Sequence, residues 1–235
     1  MNHTDISGLK DQLLEHQDLK FKAFSAKLMP EIDPDTVLGV RMPVLRRMAK
    51  TMEEQKKAAF LKDLPHAWHE ENMLHVLLID RMQDAGAAWQ EYVKLQPHLH
   101  TWALTDTLSM KSMEDEQLLE KALGMLESDD SFIRRQAVIW IMKRGLKKKN
   151  VLDMVRRSLS AYRGEREVRL ALGWMLCEGV CRNREVFLPY LMKENMDVSV
   201  LAAAVSKCRD SRRIARPDVQ LLKERLECIR QAGKL

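Results

Sequence analysis

The chain has 235 residues, 46% of them hydrophobic and 31% charged, with 39 Lys and Arg against 34 Asp and Glu. No stretch approaches the roughly 18 uninterrupted apolar residues of a membrane span, and Met1 to Lys10 lacks the apolar core of a secretory signal, so a soluble, cytoplasmic protein is expected. Cys177, Cys181, Cys208 and Cys228 lie far from most histidines and without paired metal-ligand spacing, so they read as buried free thiols, with no metal and no cofactor expected.

The charge is unevenly spread. Residues 1–130 carry 15 Lys and Arg against 23 Asp and Glu, whereas residues 131–235 carry 24 against 11, a balance of −8 and +13. The basic residues recur in clusters, Arg134-Arg135, Lys147-Lys148-Lys149, Arg156-Arg157 and Arg212-Arg213, separated by apolar helical pattern. Clusters of this kind imply a basic surface that meets a polyanion, nucleic acid ahead of an anionic membrane; the plainer alternative is a well-solvated helical face.

Apolar residues at spacings of three and four predict helices throughout, and no run alternates as a half-buried strand would. In chain order they are Ile6 to Leu14, Leu19 to Met29, a helix opened by Pro43 and running through Met48, Glu53 to Leu64, His69 to Met82 and Ala85 to Leu95. Leu99 to Met110, Glu114 to Leu126, Phe132 to Lys143, Val151 to Leu159 and Glu167 to Cys181 follow, and then Glu185 to Leu191, Val198 to Cys208 and Val219 to Ile229. Short amphipathic helices joined by tight turns, about 35 to 45 residues per pair, predict an all-α HEAT- or armadillo-like solenoid of antiparallel helix pairs, one domain over 1–235, with a concave basic face. The repeats are degenerate, so a generic multi-helix array stays open.

Several segments then resemble one family. Lys20 to Phe24, Lys27 to Pro30, Leu38-Gly39-Val40-Arg41-Met42-Pro43 with Leu45-Arg46, Phe60 to His66, Glu70 to His75, Thr101-Trp102-Ala103-Leu104-Thr105-Asp106, Phe132 to Val138 and Ala171 to Trp174 stand in its order and spacing. The chain resembles the DNA alkylation repair family of HEAT-like glycosylases, often called AlkD-like. The resemblance implies excision of N3- or N7-alkylated purines from double-stranded DNA by a monomer. It implies Asp106, Trp102 and Trp174 as the catalytic set, with the damaged nucleotide cradled against tryptophans and not drawn into a deep pocket. On this reading Arg134, Arg135, Arg41, Lys147, Lys148, Arg169, Arg182 and Arg212 contact DNA, and Phe24 offers an aromatic surface.

The spacing is compatible with that chemistry. Residues at i and i+4 share one helix face, so Trp102 and Asp106 can meet one ligand. Loss of a cationic alkylpurine builds positive charge on deoxyribose, which an ionised carboxylate stabilises while tryptophan faces meet the cation. Each residue also has a plainer reading: tryptophans in apolar pattern are usually core, as expected for Trp140 and Trp89, and a helical aspartate usually faces water or caps backbone. Because neighbours on a helix point about 100° apart, at most one of Arg134 and Arg135 faces a groove. The chain departs from the family at His100-Thr101, where acidic or amide residues are common, although Thr101 can cap the helix, and at Cys177, where an arginine is expected. A non-catalytic DNA-binding protein and a scaffold for an acidic protein partner remain alternatives. No Gly-rich phosphate loop, GxSxG or HExxH is present.

Overall fold

The computed structural model describes residues 7–232, which form α-helices and, among the described residues, no β-strand. The chain divides into two compact units, Met1–Glu114 and Asp115–Leu235. The first holds α1 (Ser7–Glu15), α2 (Leu19–Leu28), α3 (Met42–Thr51), α4 (Glu54–Lys62), α5 (His69–Ile79), α6 (Ala85–Leu95) and α7 (Trp102–Thr107). The second holds α8 (Asp115–Met125), α9 (Ser131–Trp140), α10 (Val151–Ser160), α11 (Arg166–Arg182), α12 (Arg184–Lys193), α13 (Val198–Asp210) and α14 (Arg216–Ala232).

Local chemistry sets the helix starts. Asp18 accepts from the Phe21 amide at 2.9 Å, Asp84 from Ala87 at 2.6 Å, Asp130 from Phe132 at 2.7 Å and Asp197 from Ser199 at 2.7 Å, each satisfying an amide that has no partner inside its helix. Pro43 sits in the first turn of α3, where its missing N–H costs nothing.

Within each unit alternate helices stack in a row. In the first, α5 packs on α3 and α7, with α4 and α6 laid against it; in the second, α11 lies between α9 and α13, with α8, α12 and α14 covering the row. This is solenoid-like packing, and it explains why the row helices bury residues all round: Met73 to Ile79 of α5 and Ile133 to Trp140 of α9 are all buried. Trp140 is fully buried, as expected of a core tryptophan, whereas Trp89 is half-buried. Cys177 and Cys208 are buried, but Cys181 is half-buried and Cys228 exposed.

Several helices differ from their expected spans, three of them for reasons visible in the structure. Leu99 to Met110 is not one helix: only Trp102–Thr107 is α-helical, after a 3₁₀ turn at Gln96–His98. Asp80, whose carboxylate accepts from the Ser109 amide at 2.9 Å and the Met110 amide at 2.8 Å, takes the donors that a longer helix would use, and Met110 leaves with φ +50°. The same residue ends α5 at Ile79, short of the expected Met82. Beyond Trp140, α9 continues as a π-helical turn, Ile141–Gly145, before the chain enters the lysine cluster. The predicted helix start at Ile6 falls outside the described residues.

Candidate active site

A cleft of about 320 Å³ opens in the first unit, walled by α2, the start of α3, α5 and α7. Its lining is mainly apolar, including Phe21, Phe24, Met42 and Met73, and α7 contributes Trp102 and Asp106. The sequence pair therefore does share one helix face and one ligand-sized space.

Two anchors hold α7, which is only six residues long. Thr101 accepts from the Leu104 amide at 3.4 Å, so the residue at the departure from the family pattern still caps the helix. The indole Nε1 of Trp102 donates to the Leu28 carbonyl at 2.8 Å, tying α7 to the last turn of α2. The buried Thr105 hydroxyl lies 3.3 Å from Asp106 Oδ1 and 3.1 Å from the Trp102 carbonyl oxygen. Phe24 projects from α2 at 59% exposure, a large aromatic surface at the cleft.

The floor depends on a residue that sequence reasoning passed over. Glu70 is buried, and its carboxylate accepts from the amides of Leu38 at 2.8 Å, Gly39 at 2.7 Å and Val40 at 3.2 Å. The turn that precedes α3 thus closes around an anion on α5. Gly39 has φ +88°, and a Cβ there would stand 2.6 Å from the Asp18 carbonyl oxygen, so the turn requires glycine. A carboxylate immediately before an apolar helical run, 31 residues after a glycine turn, was the available signal, but nothing local says that the two meet.

The basic residues divide into buried and exposed sets. Arg134 and Arg135 are both buried, so neither stands at a surface where the expected DNA contact could be made. Arg134 Nη1 donates to the Ser128 carbonyl at 2.6 Å and the Asp129 carbonyl at 2.9 Å, and its Nη2 pairs with Glu165; Arg135 Nη1 donates to the Glu167 carbonyl at 2.6 Å. The cause is the packing of α9 between α8 and α11, which leaves these positions no outward face. Lys148 pairs with Glu116, and Arg144 with Asp115 at 2.5 Å, so the acidic start of α8 neutralises part of the lysine cluster. Arg182 pairs with Glu178 at 3.2 Å, and Arg41 with Asp18 at 2.8 Å while its guanidinium covers the Phe21 ring. Lys147 and Arg212 are exposed. Arg169 is half-buried, with an Nε that has no hydrogen-bond partner, and its charge helps to hold the Asp197 carboxyl below its ordinary range, behind the Ser199 hydrogen bond.

Trp174 lies on α11 in the second unit, half-buried between buried Gly173 and Met175. Three residues on, Cys177 points into the protein, its thiol held well above its ordinary range by a hydrogen bond with Cys208 and by burial. This position supplies no charge to a surface.

The family described as "DNA alkylation repair enzyme" matches residues 9–208, which include every element of the cleft, Trp174 and the buried arginine pair. The chain belongs to that family. No curated protein matches it. Membership assigns the chain to the repair of alkylated DNA. The match stops before α14, which is held to the family portion by packing on α13 and by a two-pronged ion pair of Arg184 with Asp218, 2.7 Å on each prong. Among the described residues no helix is long and apolar enough to cross a membrane.

Proposed function

We propose that this protein is a DNA glycosylase that binds alkylated double-stranded DNA as a monomer and hydrolyses the N-glycosidic bond of N3- or N7-alkylpurines. The observation that carries the reading is the Trp102–Asp106 pair, one helical turn apart, on the wall of the same ligand-sized cleft. Alkylation leaves the purine cationic, so it departs as a neutral base when C1′–N breaks and the electron pair moves into the ring. Positive charge then develops on the deoxyribose. An ionised Asp106 in a largely apolar cleft opposes that charge in a medium where water screens it poorly, and it accepts a hydrogen bond from the water that attacks C1′. The indole of Trp102, fixed by its bond to Leu28, offers a face to the cationic nucleotide, and Trp174 is assigned the same role.

Phosphate contacts fall to the exposed cations, Lys147 and Arg212, with Arg41, Lys148, Arg169 and Arg182 recruited as their present partners allow. Arg134 and Arg135 act from the interior, holding the turns that start α9 and α11.

The test is release of free 7-methylguanine and 3-methyladenine from methylated duplex DNA, against the spontaneous background. Release by the unmodified protein, reduced about 100-fold or more in Asp106→Asn and strongly in Trp174→Ala with DNA affinity retained, supports the reading. Tight, salt-sensitive binding without release makes the protein a non-catalytic DNA-binding member instead, and weak binding that is flat with salt favours a scaffold for an acidic protein.

A further inference from the structure

We infer that His69 is a second catalytic group of the cleft and takes the proton from the attacking water. The inference rests on the glycosylase reading and divides its chemistry between two side chains. His69 opens α5 and lines the cleft that holds Trp102 and Asp106; the same ring also lines a second cleft of about 260 Å³ beside it, with His66, His98, His100 and Asp33. Among the described residues that line the first cleft, His69 alone carries an imidazole.

The other histidines of the α5 region are committed to partners. His66 and His75 hydrogen-bond each other at 2.9 Å, and His75 bonds Glu91 at 3.2 Å. The His69 ring is half-buried and, unlike those of His66 and His75, is not tied into a side-chain hydrogen bond among the described residues. Its neighbour Glu70 is saturated by three backbone amides and turned to the Leu38–Val40 turn, so it does not compete for the same water. Burial holds the His69 ring below its ordinary titration range, against the opposing pull of the adjacent Glu70 charge, so the imidazole is neutral at pH 7 and has a lone pair to offer. The charged and titratable groups around it are Asp106 from α7, Glu31 and Asp33 from the segment before α3, His66 from the turn before α5, and His98 and His100 from the stretch before α7.

Division of labour follows from charge. A carboxylate that accepted the proton would lose the negative charge that the sugar cation needs, whereas an imidazole accepts it and leaves Asp106 ionised. As C1′–N breaks, its electron pair goes to the purine. As the water oxygen bonds C1′, one water proton passes to His69, and the resulting imidazolium returns it to solvent.

The experiment measures 7-methylguanine release across pH 5 to 8 for the unmodified protein and for His69→Gln, His69→Ala and, as a control on the neighbouring cleft, His100→Gln. The expected result is a rate in the unmodified protein that falls as pH drops through the His69 titration. His69→Gln should be about 100-fold slower with that acid limb flattened, His69→Ala should be restored by added neutral imidazole, and His100→Gln unchanged. Circular dichroism and duplex affinity establish that the variants fold. Should they not fold, the His69 ring signals of the unmodified protein decide: they should shift on binding duplex DNA that carries a cationic azasugar at the abasic position, and unmoved signals overturn the assignment. Undiminished release by His69→Gln with the acid limb intact overturns this inference alone. No release by the unmodified protein overturns the glycosylase reading and this inference with it.

Discussion

The carboxylate of Glu70 closes on the amide of Gly39 at 2.7 Å, joining the turn before α3 to the first turn of α5 beneath the candidate active site. Glu70→Gln keeps the shape but removes a charge-assisted acceptor of three amides, and should lower unfolding free energy by about 2 to 4 kcal/mol. Gly39→Ala forces a Cβ against the Asp18 carbonyl oxygen at positive φ and should cost at least as much. Urea unfolding of both variants checks this; a midpoint unchanged in Glu70→Gln would show that the turn holds without the charge.

Arg134 and Lys147 should respond in opposite ways. Arg134→Met strips the partner from Glu165 and from two carbonyls at a fully buried position, so it should destabilise by about 3 kcal/mol or more. The salt dependence of DNA binding should stay as it was. Lys147→Ala should be silent in stability and reduce the log–log salt slope by about 0.9, the effect of one lost phosphate contact. Titrations at several salt concentrations separate the two, and a reduced slope in Arg134→Met would return that residue to the DNA surface.

The first unit should lose stability as the solution becomes mildly acidic. Burial holds both His66 and His75 down to about 4, and for His75 the nearby charges of Lys94 and His98 act the same way. Lys94 also stands 2.8 Å from Glu91 and neutralises the carboxylate that could have favoured a charged His75. Because the folded rings are neutral, the unfolded chain binds more protons between pH 6.5 and 4. Their contribution is complete above the ordinary histidine value and is lost as pH falls towards 4, at up to about 1.4 kcal/mol per pH unit for each ring. Urea midpoints at pH 7.5, 6 and 5 should show this fall, and His66→Phe should make it shallower.

Gly173 brings α11 close to α13: a Cβ there would lie 2.7 Å from the Ala203 Cβ and 2.8 Å from the Ala203 carbonyl carbon. Gly173→Ala should therefore destabilise the second unit by about 1 to 3 kcal/mol, and Ala203→Gly should restore only part, because the backbone contact remains. Thermal unfolding of the single and double variants measures the coupling. Full restoration would place the whole clash in the two methyl groups.

How far the sequence disclosed all this depended on the range of the interaction. Helix identity came from spacing within a dozen residues, and α6, bounded by Asp84 and Pro97, has its expected ends at Ala85 and Leu95. The span from Leu99 to Met110 misled because its apolar residues keep helical spacing while Asp80, 29 residues upstream of Ser109, takes its amides. Trp102 and Asp106 were legible as neighbours on one face. Their shared cleft was not, since its other walls come from α2, α3 and α5. Arg134 and Arg135 were misread for a related reason: a paired arginine on a helix looks like surface until the helices on both sides of it are known. His69 gave no signal at all, because a histidine beside a glutamate is common and its place on the wall of the cleft exists only in three dimensions.

The Trp102–Leu28 hydrogen bond bears on what counts as part of the active site. A helix of six residues has too few internal hydrogen bonds to offset the cost of nucleating it, so α7 exists on the terms set by its attachments. The carbonyl at the end of α2 is one of those attachments, although it touches no reacting atom. Variation along the last turn of α2 would be transmitted to the indole and, one turn further, to the carboxylate, so a change there would be registered in turnover before it was registered in stability.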